Sequence, residues 1–483
     1  MYDEQSFCSR FEPTGWTWLI FVGIYFALHV LTRTLVSPNL QMDEAEQLIF
    51  TQDWAWGYGS QPPLYNWIQK VLFSIFGVKV FTLSLLKNSL LFLFNVFFYL
   101  AALEIFVERR LAALATAAVF FMPQIFWESQ RDQSHLVLAT MCAAATLFFF
   151  LRICKGGGVI TFTLFGIVAG MGTLAKYNYA FFLLALILAA ATLGMLGVFR
   201  WKMVFAVAAF LLVTWPHFEW LMNNRELAAS QSYKFKVAIE SGASAYAVGL
   251  GKLAKAVATF VALPTLLFLP LLLKRRTEAR DEWNRLLGAV FVWGLVLTVL
   301  LVLFFRVTYI RDRWLQPLLF AYPMFLVGLV AARSEARRLG PYFGLATAVA
   351  IVVLVLMNGV VVGANVLGRA HNMNVPFEGL AAELRKAGFS AGTILADSYF
   401  VGGNLKMRFP ESSVVTTGRG GYARRVTLPA VVVWRGGDEP VGFLIEARQS
   451  LETTNWPAPR IVEIPCKNGP RHSERFGFVI LEK

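Results

Sequence analysis

Apolar runs long enough to cross a bilayer recur from residue 16 to residue 366, and no other feature constrains this chain as tightly. A helix needs about 20 mainly apolar residues to span the hydrocarbon layer. About eleven runs meet or approach that length: 16–36, 83–107, 111–127, 134–151, 159–174, 179–199, 203–221, 247–273, 286–305, 314–331 and 341–366. Such a pattern predicts a polytopic α-helical membrane protein. Composition agrees, since 57% of the 483 residues are hydrophobic and only 15% are charged, well below the charge of an ordinary soluble domain. The formal charge of +14 is spread in short clusters between apolar runs. No single basic stripe forms, so nucleic acid is excluded as a partner.

Those clusters predict an orientation. Arg109 and Arg110, Arg152 with Lys155, Arg200 with Lys202, Lys274 to Arg276, and Arg333 with Arg337 and Arg338 fall in alternate connections. The positive-inside rule makes that side cytoplasmic. The N-terminus is then cytoplasmic and everything after residue 367 lies on the outer side. The first run, Trp16 to Val36, exceeds a signal-peptide core and has no small-x-small site after it, so it reads as a retained span. Cys8, Cys142, Cys154 and Cys466 are far apart, and only Cys466 falls on the oxidising side, so no intrachain disulfide is expected.

The first outer loop, 37–80, contains two amphipathic stretches, "AEQLIFTQDWAW" and "PPLYNWIQKVLFSIFG". Both predict short helices on the outer membrane face. A second outer loop, 222–246, carries Lys234 and Lys236. Beyond residue 367, "GTILADSYF", "SSVVTT", "PAVVVWRGG", "RIVEIPC" and "FGFVILEK" read as β-rich runs, and "FEGLAAELRKAG" as an amphipathic helix ending at Gly388. Hence the chain divides into a membrane domain over 1–367 and a small outer α/β domain over 368–483.

Candidate chemistry gathers at the outer ends of the spans. Asp43, Glu44 and Glu46 follow the first span. With a helix starting near Gln41, Asp43 and Glu46 share a face and Glu44 points elsewhere. Plain helix-terminus acids would look the same. "WESQRDQSHL" supplies Glu128, Arg131, Asp132 and His135 at the start of the fourth span, and the two acidic loops can converge in one cavity. Lys176 lies between two short spans, where snorkelling is the competing explanation. Arg306, Arg311 and Arg313 are basic residues on the side that the charge rule depletes, and arginine grips phosphate through a bidentate fork. His217 and Glu219 are the candidate metal ligands. With five histidines and no His-x-x-x-His pair, metal binding is the less favoured reading, and no cofactor is expected.

The order of these pieces resembles the GT-C glycosyltransferases of the protein O-mannosyltransferase and lipid A aminoarabinose-transferase type. The likeness runs from about Asn39 to Leu186 through "DEAEQ", "QPPLYNWIQKVLFSIFGV", "ERRLAALATAAVFFMPQIFWESQRDQSHLVLA" and "GIVAGMGTLAKYNYAFFLLAL", and returns in "RDRWLQPLLFAYP". The resemblance implies sugar transfer from a polyprenyl-phosphate carrier at the outer face of a bacterial inner membrane, with a lipid or glycan acceptor such as lipid A or lipopolysaccharide. The family's first-loop acid maps to Asp43, with Glu44 beside it, and its second-loop acid to Asp132. Gln61-Pro62 stands where the aminoarabinose transferases have Lys-Pro.

The residues suit that chemistry: Asp43 as base for the acceptor hydroxyl, and Lys176, Arg306, Arg311 and Arg313 as cations for the departing phosphate. A lipid flippase also needs many spans. Transporters, however, usually place their charges near mid-bilayer, and these spans carry theirs at the outer ends. A non-catalytic assembly subunit would not need acid in two separate loops.

Overall fold

The structure is a computed structural model and describes residues 15–59, 61–198, 200–226, 243–274, 282–332, 340–416, 426–451, 456–466 and 472–482. Cys8, Lys234, Lys236, Arg275, Arg276, Arg333, Arg337 and Arg338 lie outside the described residues. The chain begins with α1 (Gly15–Val36), α2 (Met42–Phe50), α3 (Leu64–Phe76), α4 (Val80–Ile105) and α5 (Arg109–Ala117). After a 3₁₀ turn follow α6 (Pro123–Phe126), α7 (Glu128–Asp132), α8 (His135–Cys154), α9 (Val159–Ala175), α10 (Tyr179–Thr192) and α11 (Met203–Asn223). The bundle is completed by α12 (Ala243–Leu272), α13 (Glu282–Phe305), α14 (Gln316–Leu319), α15 (Tyr322–Ala331) and α16 (Gly340–Val366).

Helix stands at every expected span position. Among the described residues seven helices are long and apolar enough to cross a membrane: α1, α4, α8, α11, α12, α13 and α16. Two expected spans are broken rather than straight. The one beginning at Arg109 bends by 76° at Met122, and the one beginning at Asp312 by 56° after Leu319. Pro123 and Pro323 occupy the first turn of the helix after each break, where a missing N–H costs nothing but would interrupt a continuing helix. The first bend turns Pro123–Asp132 across the bundle end, which carries Asp132 sideways into the site. Helix α8 is the most enclosed of the seven. Its neighbour α9 meets α11 closely at Gly166, where a Cβ would stand 2.0 Å from the Ala206 carbonyl oxygen.

Two of the basic connections meet at one end of the bundle. Arg152 and Lys155 reach Glu104 at 3.3 and 3.1 Å, and Lys202 donates to the Gly157 carbonyl at 3.5 Å. The opposite end carries the C-terminal α/β part, which contains α17 (Phe377–Lys386), α18 (Tyr399–Arg408) and α19 (Val441–Leu451). Its strands are β1 (Thr393–Ala396), β2 (Ser413–Thr416), β3 (Ala430–Arg435), β4 (Arg460–Pro465) and β5 (Ser473–Leu481), in the order β2-β1-β3-β5-β4. The pairs β1–β2 and β1–β3 are parallel, while β5 runs antiparallel to β3 and β4. All five strands fall in the expected β-rich runs. The "SYF" of the first run instead starts α18, because the Ser398 hydroxyl accepts from the Val401 N–H and caps the helix.

One expectation about the first loop needs correction. Helix α2 does not lie on a lipid surface: Glu44 to Phe50 are all buried. It is covered by α18, and at Gly403 an added Cβ would stand 2.3 Å from the Ala45 carbonyl oxygen. Asn404 pairs with the Leu40 backbone at 2.9 and 3.3 Å. Arg408 donates to Asn39 Oδ1 at 2.6 Å, and Gln52 exchanges two 2.9 Å bonds with Val414. The C-terminal part therefore clamps the loop that bears Asp43.

Candidate active site

Helix α2 begins with a capping box, in which the Glu44 carboxylate reaches back to the Gln41 N–H at 2.9 Å. The same carboxylate takes a fork from Arg33, Nε to Oε1 at 3.2 Å and Nη2 to Oε2 at 2.6 Å, and faces Lys87 Nζ at 3.8 Å. Burial pushes the Glu44 carboxyl up, but the Arg33 and Lys87 charges and these hydrogen bonds more than reverse it, leaving it at about 2. Arg33 also donates to the Ser37 and Asn39 carbonyls. Glu44 thus ties α1, α2 and α4 together, and both its oxygens are occupied.

Asp43, one residue earlier, turns another way and is half-buried. Its backbone N–H donates to Asp132 Oδ1 at 2.9 Å. The two acidic loops do converge, and the contact joins residues 89 positions apart. Burial first, then the Asp43 charge, pushes the Asp132 carboxyl up to about 7, against the lowering effect of the Asp43 N–H and of Lys87. A carboxyl poised there holds or releases a proton near neutral pH, which suits acid–base work. Below the pair, Gln47 Nε2 meets His135 Nε2 at 3.4 Å.

The predicted cations are distributed around a second feature. Arg311 and Arg313 flank Asp312, whose Oδ2 accepts from Gln124 at 3.0 Å. Gln124 belongs to α6, which leads directly to Asp132, so the arginine turn is anchored to the acidic segment. Lys176 ends α9, and two residues later Asn178 donates to the Trp314 carbonyl at 2.7 Å. Arg311 is exposed and bonds the Tyr309 hydroxyl at 2.7 Å. Arg306 follows the end of α13 with φ 51°, a left-handed conformation that turns the chain sharply out of the helix. Beneath the turn lies a cavity of about 250 Å³ lined by Leu315, Leu318 and Leu319 together with apolar faces of α12 and α13.

Both nitrogens of His217 are engaged, Nδ1 with the Trp56 carbonyl at 2.5 Å and Nε2 with the Tyr177 hydroxyl at 3.2 Å. His217 therefore pins the first loop to α11, and no cluster of three metal-ligating side chains occurs among the described residues. Arg33 and Lys87 were missed by sequence reasoning. The available signal was a lysine inside the apolar run "TLSLLKNSLLFLF", because ionisable residues within spans are costly and rarely idle.

Two carboxylates thus meet at one end of the helical membrane bundle, and Gln124 ties the arginine turn to the segment that leads to Asp132. Comparison with known proteins gives the family. The dolichyl-phosphate-mannose-protein mannosyltransferase family model matches residues 60–220. The chain is 32% identical to the lipopolysaccharide core galacturonosyltransferase RgtB of Rhizobium johnstonii, over 95% of both chains. It is 31% identical to RgtA of the same organism, over 86% of both. The crystal structure of ArnT from Cupriavidus metallidurans bound to undecaprenyl phosphate has the same fold, with a TM-score of 0.66 at 14% identity, covering 97% of this chain and 98% of that one.

The chain belongs to the GT-C glycosyltransferase family, together with these core galacturonosyltransferases, and shares the fold of ArnT. It is a multi-pass membrane glycosyltransferase, and the flippase reading is not favoured.

Proposed function

We propose that this enzyme transfers galacturonic acid from a polyprenyl phosphate to the lipopolysaccharide core at the periplasmic face of a bacterial inner membrane. The observation that carries the reading is the Asp43–Asp132 contact, which joins two acidic loops in a chain matching core galacturonosyltransferases along nearly its whole length. In this reading residues 1–367 form the catalytic membrane domain and 368–483 the periplasmic one.

Asp43 takes the proton of the acceptor hydroxyl as that oxygen forms its bond to the anomeric carbon. The bond from that carbon to the phosphate oxygen breaks, and its electron pair leaves with the carrier phosphate. Arg311, Arg313, Arg306 and Lys176 offset the charge that appears there. The apolar cavity below Leu315 receives the first prenyl units. Asp132 orients the Asp43 segment and the acceptor. Glu44 acts through the ion pair that fixes the register of α2. No cofactor takes part.

The test is single-turnover transfer by purified enzyme in detergent, from a polyprenyl phosphate carrying radiolabelled galacturonic acid to lipopolysaccharide core. Label in the core supports the reading, and intact donor after full incubation overturns it. Protease added to intact spheroplasts should remove the region after about residue 367, and protection of that region would overturn the orientation.

A further inference from the structure

A second cavity, of about 110 Å³, opens beside the carboxylate pair between α1, α4, the Trp127–Arg131 segment, α16 and the His371–Met373 turn. That is far more room than the ~10–15 Å³ one water occupies by this measure. Its polar walls include Arg33, Lys87, Arg131, His29 and His371, and no carboxylate lines it among the described residues. Arg33 is committed to Glu44 and two backbone carbonyls, and Arg131 is paired with Glu128 at 2.7 Å.

Lys87 is different. It is 4% exposed, and its ammonium has three donors. Its hydrogen bond is a long one to the Gln130 carbonyl at 3.4 Å, and Glu44, already neutralised by Arg33, stands 3.8 Å away. The Lys87 charge acts on Glu44 and on Asp132, but its donors are not used up, since the Gln130 bond is long and Glu44 lies beyond hydrogen-bond distance, and the side chain lines the cavity.

The cavity adjoins the reaction centre. Gln41 lies two residues from Asp43, and Arg131 is next to Asp132. A sugar seated on the carboxylate pair would extend into it. An acidic sugar there would be repelled by Asp43 and Asp132 unless a cation stood on its far side. In the proposed mechanism the carrier phosphate is met elsewhere, at the arginine turn near the 250 Å³ apolar cavity.

We propose that the Lys87 cavity is the specificity subsite for the sugar's own carboxylate, with the Lys87 ammonium donating to it and Arg131 at its rim. The inference rests on the proposed galacturonosyl donor and adds the residue that distinguishes an acidic sugar from a neutral one.

The experiment compares wild type, Lys87→Met and Lys87→Arg with a short-chain polyprenyl phosphate carrying galacturonic acid, and with sugar-free short-chain polyprenyl phosphate as inhibitor. KM and Ki do not depend on the fraction of enzyme that folds. Lys87→Met should raise KM for the galacturonosyl donor about 10–100-fold, the loss of one charged hydrogen bond. Its Ki for the sugar-free carrier should stay within about twofold of wild type, and Lys87→Arg should restore most of the KM. A parallel rise in Ki would mean that the cavity reads phosphate, and an unchanged KM would mean that Lys87 serves only Glu44. Either result overturns the inference and leaves the proposed donor intact. A wild-type enzyme that rejects the galacturonosyl donor overturns both.

Discussion

Asp132→Asn should stabilise the folded enzyme above neutral pH while impairing transfer. Raising a carboxyl from its ordinary 3.8 to about 7 corresponds to roughly 4 kcal/mol against the ionised form. Asp132 keeps some contact with solvent, which trims this to about 2–4 kcal/mol. The folded state holds the proton more tightly than the unfolded chain does. Stability is therefore lost as pH rises from about 4 to about 7, and the full penalty persists above that window. Asparagine removes the penalty and keeps an oxygen for the Asp43 N–H. At ~2.1 cal/mol/K per residue, 483 residues give an unfolding entropy of ~1 kcal/mol/K, so the expected gain in Tm is about 2–4 °C at pH 8. At pH 4.5, where most of the penalty is absent, the gain should nearly vanish. Thermal unfolding of purified protein in one detergent at the two pH values measures this. A wild-type inflection in transfer rate near pH 7 should also disappear in the variant. Equal Tm differences at both pH values would refute the raised pKa of Asp132, which burial and then the Asp43 charge set.

Three further substitutions test the remaining roles. Asp43→Asn should lower single-turnover transfer by about 10²–10⁴ with donor binding preserved, and near wild-type transfer would remove Asp43 as the base. Glu44→Gln should lower stability by about 3–5 kcal/mol, the usual cost of breaking a buried ion pair, yet leave transfer per folded molecule within about tenfold of wild type; a stable but inactive variant would put the chemistry on Glu44 instead. Arg313→Ala should cost about 1.5–3 kcal/mol of donor binding, seen as a raised donor KM with little change at saturating acceptor, and unchanged kinetics at limiting donor would make Arg313 an interfacial anchor.

The membrane class, the position of each bundle helix, the five β-rich runs and the acids of both loops are legible in the order of residues alone, because each depends on local periodicity or on chain length against bilayer thickness. Local pattern turns the two neighbours in "DEAEQ" to different faces, yet leaves both as catalytic candidates, and only the structure shows Glu44 held in an ion pair with Arg33. Contacts between distant segments decided the rest. That Asp43 and Asp132 touch follows from the 76° break at Met122, and the size of a break depends on what the freed segment packs against. That α2 is buried rather than floating on lipid follows from α18, more than 350 residues later, closing over it through Asn404 and Gly403. The Lys87 cavity draws its walls from four helices and a turn, and the donors that Lys87 presents to it appear only once those segments are packed together. An apolar run reports that its helix will be buried in lipid or protein. Which charges meet across the bundle is a matter of packing, and no single segment carries that information.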